Sequence, residues 1–149
     1  AGVLGAGGAS RAIVASLLEV GCPEVRIANR TRARADALKR EFGARVVVYD
    51  WVQAGNMLED VGTLVNTTAL GMDGKPELRV PLDALSPSAI VNDLVYTPLD
   101  TPLLQEARQI GCTTVDGLGM LHWQGAPGFE RWFGQRPEVD DALREAVMR

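Results

Sequence analysis

Short apolar runs alternate with stretches of helical period along this chain. Val3 and Leu4 lead into Gly5 to Gly8, after which Ala9, Ile13, Ser16, Leu17 and Val20 recur at the spacing of one helical face until Gly21 and Pro23 break it. A strand, a turn and a helix are predicted. Val25 to Ala28 reads as a second strand, Thr31 to Phe42 as a helix stopped by Gly43, and Arg45 to Tyr49, rich in β-branched residues, as a third strand. The next half is less regular, with strands expected at Thr63 to Thr67, Ala89 to Leu94 and Thr113 to Val115, and a helix at Pro102 to Ile110 before the last of them. After Asp116 the pattern turns helical, and Gly134 to Pro137 separates a helix at Met120 to Phe133 from another at Val139 to Met148. Short apolar strands interleaved with helices imply an α/β fold, a doubly wound parallel sheet with helices on both faces, occupying residues 1–149 as one domain.

Composition narrows the partners. A net charge of −4 over 149 residues argues against a general nucleic-acid binder or membrane-surface binder, so any basic cluster must be a local device. Cys22 and Cys112 lack metal-ligand or redox spacing, which fits two buried thiols in a reduced, cytoplasmic setting and no metal site. No apolar run approaches the length of a membrane span. Ala1 is not an initiator Met and the first strand is short, so the expectation is that an N-terminal piece precedes this chain.

Two local motifs carry chemistry. In LGAGGASRA the spacing Gly5-x-Gly7-x-x-Ser10 matches the dinucleotide fingerprint of Rossmann-like domains. Gly5 would allow the turn off the strand, Gly7 would admit a pyrophosphate to the backbone, and small Ala9 and Ser10 would let the helix lie close to the sheet, its N-terminal N–H groups facing the phosphates. Domains of this kind that bind NAD usually end the second strand in an acidic residue that holds the ribose 2′-hydroxyl. Asn29 stands there instead, followed by Arg30, Thr31, Arg32 and Arg34. Cations around the first turn of a helix oppose its macrodipole, and a bound adenosine 2′-phosphate would account for them. NADP is therefore the expected cofactor, with Arg32 the arginine best read as merely solvated.

LVNTTALGM sends Asn66, Thr67, Thr68, Gly71 and Met72 off a strand end, and is followed by NDLVYTPLDTPLL and DGLGMLHWQGAPGFERW. In this order the segments make the chain resemble the cofactor-binding domain of shikimate dehydrogenase over nearly its whole length. The resemblance implies a diphosphate loop at Gly5, Ala6, Gly7, Gly8 and Ala9, and a 2′-phosphate clamp at Asn29, Arg30, Thr31 and Arg34. It implies a loop along the cofactor at Asn66 and Thr67, and neighbours of the nicotinamide at Leu94, Gly117 and Met120. Tyr96 and Gln124 would be the two residues lent to the pocket for shikimate or 3-dehydroshikimate. The Lys and Asp that handle the substrate proton in the family belong to an N-terminal domain, and nothing here matches them, so no catalytic residue is expected in this chain.

His122, the lone histidine, lies about 160° from Met120 and Gln124 on a helix and should face away from them. Glu138, Asp140, Asp141 and Glu145 read as a solvated face. Two other functions fit part of the pattern. The NADPH domain of glutamyl-tRNA reductase is similar across the glycine turn and the NRT segment only, and a non-catalytic NADP(H) sensor would not require Tyr96 and Gln124 to converge.

Overall fold

In the computed structural model, which describes residues 1–148, six strands form one parallel sheet. They are β1 (Gly2–Leu4), β2 (Val25–Asn29), β3 (Val46–Asp50), β4 (Thr63–Asn66), β5 (Ile90–Asp93) and β6 (Thr113–Val115), in the spatial order β3-β2-β1-β4-β5-β6. The helices are α1 (Gly8–Glu19), α2 (Arg32–Phe42), α3 (Pro102–Ile110), α4 (Leu118–Phe133) and α5 (Asp141–Val147). β1 lies at the centre, with Leu4 in register with Ala28 of β2 on one side and Asn66 of β4 on the other. The chain reverses its direction of winding at β1, which opens a crevice beyond the carboxyl ends of β1 and β4.

Alternation along the strands divides the core in two. Val3 and Ile27 point to one face, where they pack with Val14 and Leu18 of α1 and Ala35 and Leu38 of α2. Leu4 and Ala28 point to the other, against Leu58, Leu64, Leu104 and Ala107. Burying each such aliphatic side chain contributes about 1.5–3 kcal/mol. α4 and α5 pack against each other, and α4 buries only Leu118 and Ala126.

The α/β pattern holds, with local corrections. The buried face of α1 is Ser10, Val14 and Leu18, whereas Ala9 and Ser16 are exposed and Val20 keeps 81% of its surface. Apolar residues lie on more than one side of this helix, so periodicity left its phase open; buried Ser10 is satisfied locally, its Oγ–H donating to Gly7 O at 2.8 Å. β2 and β3 each run one residue further, to Asn29 and Asp50, while Thr67 and Leu94 fall just beyond β4 and β5. α4 begins at Leu118, whose N–H donates to the Asp116 carboxylate at 3.0 Å, and α5 begins at Asp141, with Asp140 accepting from the N–H of Leu143 at 2.9 Å. Cys112 is buried but Cys22 is only half-buried, its Sγ donating to Glu24 O at 3.3 Å. No described helix is long and apolar enough to cross a membrane.

Candidate functional site

The crevice is built first from backbone. Gly5 has φ +106°, and a Cβ there would stand 2.6 Å from Thr67 Oγ1 and 3.0 Å from Thr68 Cγ2. Only glycine fits both the conformation and the contact. The turn after β1 is tied to its neighbours by the Gly5 N–H donating to Ala28 O at 2.8 Å, and by Thr67, whose N–H and Oγ1–H both reach Leu4 O, at 2.9 and 2.7 Å. At Gly7 and Gly8 a Cβ would meet no neighbouring atom within 4 Å, so the outer side of the turn is open. α1 has no side-chain cap and no acid in its first turn, which leaves its leading N–H groups and partial positive charge facing the crevice.

A cleft of about 420 Å³ runs from this turn along the ends of β2 and β4. Of the predicted residues it brings together Gly5, Gly7, Asn29, Arg30, Arg34 and Thr67. Ala6 and Gly8 line a second concavity of about 430 Å³ behind the turn, shared with Arg11 and again with Arg34. Ala9 and Thr31 line neither and are exposed beside them. The Asn29 amide donates to Thr31 O at 2.7 Å and so shapes the entry to α2. Arg30 and Arg34 form no ion pair among the described residues, whereas Arg32 is bound to Asp50 at 2.7 Å and lies 3.8 Å from Asp36. Pattern reasoning missed Trp51, Ala69, Leu70, Lys75 and Pro76, which also line the cleft. Trp51 sits one residue past β3 and could have been found by asking what leaves each strand end; Ala69 and Leu70 lie inside the NTTALGM segment already singled out, whereas Lys75 and Pro76 carried no comparable signal.

Asn66 is fully buried and lines none of the cleft; it organises the loop that does. Its Oδ1 accepts from the N–H and Oγ1–H of Thr68 at 3.0 and 2.8 Å, and its Nδ2 donates to Asp93 Oδ1 at 2.9 Å and Leu70 O at 3.3 Å. Asp93, 1% exposed, also accepts from the Val95 N–H at 3.0 Å and the Thr101 hydroxyl at 2.7 Å, and Thr101 in turn caps α3. Burial pushes the Asp93 carboxyl above its ordinary value, against the downward pull of these hydrogen bonds. This network locks together the ends of β4 and β5 and the start of α3.

Beyond β5 and β6 the predicted neighbours Leu94 and Gly117 meet. A Cβ on Gly117 would lie 2.5 Å from Leu94 O and 2.6 Å from Val95 O, so the two segments touch backbone to backbone. Tyr96, 41% exposed, stands at a groove of about 370 Å³ with Thr97, Leu99, Leu118, Leu121, Val147 and Met148. Met120 is half-buried and Gln124 exposed, and neither lines this groove or the cleft. Gln124 lies one helical step beyond Leu121, on the row that runs from Leu118 along α4. His122 is half-buried, and its buried Nε2 has no hydrogen-bond partner among the described residues. α5 is fastened to this end by Arg144, which donates to both oxygens of Asp116 at 3.2 and 2.5 Å and holds that carboxyl below its ordinary value.

The chain matches two family models, Shikimate / quinate 5-dehydrogenase over residues 1–71 and Shikimate 5'-dehydrogenase C-terminal domain over residues 117–148. It is 71% identical over 148 residues to the shikimate dehydrogenase (NADP(+)) of Paracoccus denitrificans (strain Pd 1222), covering 99% of this chain and 52% of that protein. Among solved structures it is similar to the quinate dehydrogenase of Corynebacterium glutamicum in complex with NAD, with a TM-score of 0.87 and 30% identity over 99% of this chain and 54% of that one. It is similar too to the shikimate 5-dehydrogenase of Thermus thermophilus in complex with NADP(H) and shikimate, with a TM-score of 0.78 and 39% identity over 92% of this chain and 50% of that one. The chain spans about half the length of the curated relatives it matches.

Proposed function

Because the chain belongs to the shikimate dehydrogenase family, we propose that its residues 1–149 form the NADP(H)-binding, Rossmann-like domain of an oxidoreductase that interconverts shikimate and 3-dehydroshikimate. Membership in this family sets aside the glutamyl-tRNA reductase reading. The fold alone does not choose the nucleotide, since similar structures are complexes with NAD and with NADP(H). The observation that carries the choice is the rim of the 420 Å³ cleft, where Asn29 replaces an acidic residue and Arg30 and Arg34 stand unpaired among the described residues. The donor set fits a phosphate monoester and would leave a ribose 2′-hydroxyl without its usual carboxylate.

The bare glycine turn and the uncapped start of α1 fit a diphosphate in the same way. Gly5, Ala6, Gly7, Gly8 and Ala9 would hold the diphosphate; Asn29, Arg30, Thr31 and Arg34 the 2′-phosphate. Asn66 would act by shaping the loop that presents Thr67. Leu94, Gly117 and Met120 would bound the nicotinamide. When bound, the nicotinamide supplies or accepts the hydride. The chain's own share is to orient that ring and to exclude water from one side. Tyr96 and Gln124 would offer a phenol and an amide to substrate hydroxyls. The paired proton movement is assigned to acid/base residues in the rest of the enzyme, which would close the other wall of the cleft. Trp123, Phe129, Trp132 and Phe133 of α4 are exposed, Trp132 by 78%.

The test is titration of NADPH and NADH by nicotinamide fluorescence at fixed salt. NADPH is expected to bind more tightly, and Arg34→Ala to weaken it roughly tenfold to a hundredfold while NADH changes little. Equal affinities for the two nucleotides would refute the clamp. Mixed with NADP and excess shikimate, the chain is expected to show no turnover, because a positioned acid or base supplies about 10²–10⁴ of the rate. Turnover by the chain alone would place the acid/base group within it. A full-length enzyme that bound NADPH yet never turned over would favour the sensor reading.

A further inference from the structure

Three arginines begin α2, but they are not in the same situation. Arg30 and Arg34 line the cleft and pair with no carboxylate among the described residues. Arg32 lines no part of it, and instead its guanidinium binds Asp50 Oδ1 at 2.7 Å and comes within 3.8 Å of Asp36. Asp50 ends β3 in register with Asn29 of β2, and the next residue, Trp51, lines the cleft. Asp50 does not itself line the cleft, but it adjoins two residues that do, Asn29 across the sheet and Trp51 along the chain. Both side chains of the pair are half-exposed, at 52% and 51%, and an exposed pair of this kind adds little to stability. Its consequence lies in the local field.

Resting on the NADP reading above, we propose that Arg32 is a specificity-determining residue that acts through Asp50. It takes up the carboxylates of Asp50 and Asp36, so that Arg30 and Arg34 stay free for the 2′-phosphate. A free Asp50 would repel a phosphate dianion across the rim and would compete for Arg30 or Arg34. The same carboxylate is indifferent to NADH, whose ribose 2′-hydroxyl can donate to it. Arg32 therefore sets the ratio of the two affinities without touching either nucleotide.

The experiment measures Kd for NADPH and NADH, by nicotinamide fluorescence at low and at physiological salt, in the full chain and in Arg32→Ala, Asp50→Asn, the double variant and Arg34→Ala. Arg32→Ala is expected to raise the NADPH Kd about three- to tenfold at physiological salt, more at low salt, and to leave NADH unchanged or tighter. Adding Asp50→Asn should restore NADPH binding, because the charge that Arg32 masks is gone. An Arg32→Ala loss that persists in the double variant would mean that Arg32 meets the phosphate directly, and would overturn the proposal. So would an unchanged NADPH Kd in Arg32→Ala. Retained NADPH binding in Arg34→Ala would instead bring down the clamp itself, so the two failures are distinguishable.

Discussion

Gly117→Ala is the sharpest probe of the end proposed to hold the nicotinamide. A methyl group there would begin 2.5 Å from Leu94 O, 2.6 Å from Val95 O and 2.7 Å from Leu94 C, all backbone atoms that cannot swing aside. Ordinary contact starts at 3.4 Å, so the segment beyond β5 must retreat by about 0.9 Å or α4 must lift by as much. Val95 is tied to Asp93 by its N–H at 3.0 Å, and Asp93 is fixed by Asn66 and Thr101, so the strain falls on a rigid network. Overpacking of this kind costs about 1–3 kcal/mol and should lower Tm by roughly 3–10 °C. The function should divide along the cofactor. Adenosine 2′,5′-bisphosphate, which in the proposed placement would use only the β1–β2 side of the crevice, should keep its affinity, while NADPH should lose the part contributed by its nicotinamide. In the full-length enzyme a displacement near 1 Å at the reacting ring should cost on the order of a hundredfold in kcat. Thermal melts, competition titrations and steady-state rates measure the three effects. Equal losses for the two ligands would mean that Gly117 matters only to folding, and unchanged NADPH affinity with an unchanged Tm would show that the 94–95 backbone yields without cost.

Two other outcomes are expected. Asp93 has a folded value raised above 3.8, so the native chain holds that proton more tightly than the unfolded one; its contribution is greatest below 3.8 and declines as pH rises through the raised value. Urea midpoints should therefore show the wild-type chain losing ground to Asp93→Asn as pH rises from about 4 to 7, and the opposite slope would refute burial as the dominant cause. In the full-length enzyme, Gln124→Ala is expected to weaken shikimate by about 1–3 kcal/mol with NADPH binding unchanged, and unaltered steady-state parameters would reduce Gln124 to a surface residue.

How far each element could be read from the sequence follows from the physics behind it. β2 and β3 are short strands rich in apolar residues between breakers, β2 mostly buried and β3, at the sheet edge, with Val46 buried and Val47 to Tyr49 half-buried. The glycine turn was legible for a related reason, because a positive φ at Gly5 and a close approach at Thr67 admit no other residue. The phase of α1 was not legible, since apolar residues stand on more than one side of it and the face that packs, Ser10, Val14 and Leu18, includes a serine that satisfies itself on Gly7 O. The Asp93 network was equally hidden. Its partners lie 27 residues back and 8 forward, and an Asp in DLVYTP gives no sign that it will be buried. Leu94, Gly117, Tyr96 and Gln124 were reached through resemblance. Periodicity would have left Tyr96 as a half-buried core phenol, yet it is exposed. The triplet of arginines was read as a group, with Arg32 merely solvated, whereas the structure separates Arg32 from the other two through Asp50, a residue of another strand.

That separation belongs to a wider arrangement at the carboxyl edge of the sheet. At an edge proposed to receive an adenosine 2′-phosphate, a free acidic side chain beside that group would oppose it across a cleft of lowered dielectric. β1, β2 and β4 end in uncharged Leu4, Asn29 and Asn66. β3, β5 and β6 end in or beside Asp50, Asp93 and Asp116, and none of these is left free: two are paired with arginines and one is buried among hydrogen-bond donors. Asp50 is paired with Arg32; Asp116 is held by Arg144 from α5; Asp93 is buried among neutral donors, where burial raises its proton affinity. The three solutions differ in what they cost. The two ion pairs are partly exposed and can be altered with little effect on folding, so they are free to serve ligand choice and the seating of α5. The buried carboxylate cannot be altered so freely, because removing it leaves three donors unsatisfied in the interior. Tuning of cofactor preference should therefore concentrate at the Arg32–Asp50 corner, while the Asp93 end, which sets the position of Leu94 against Gly117, should tolerate change least.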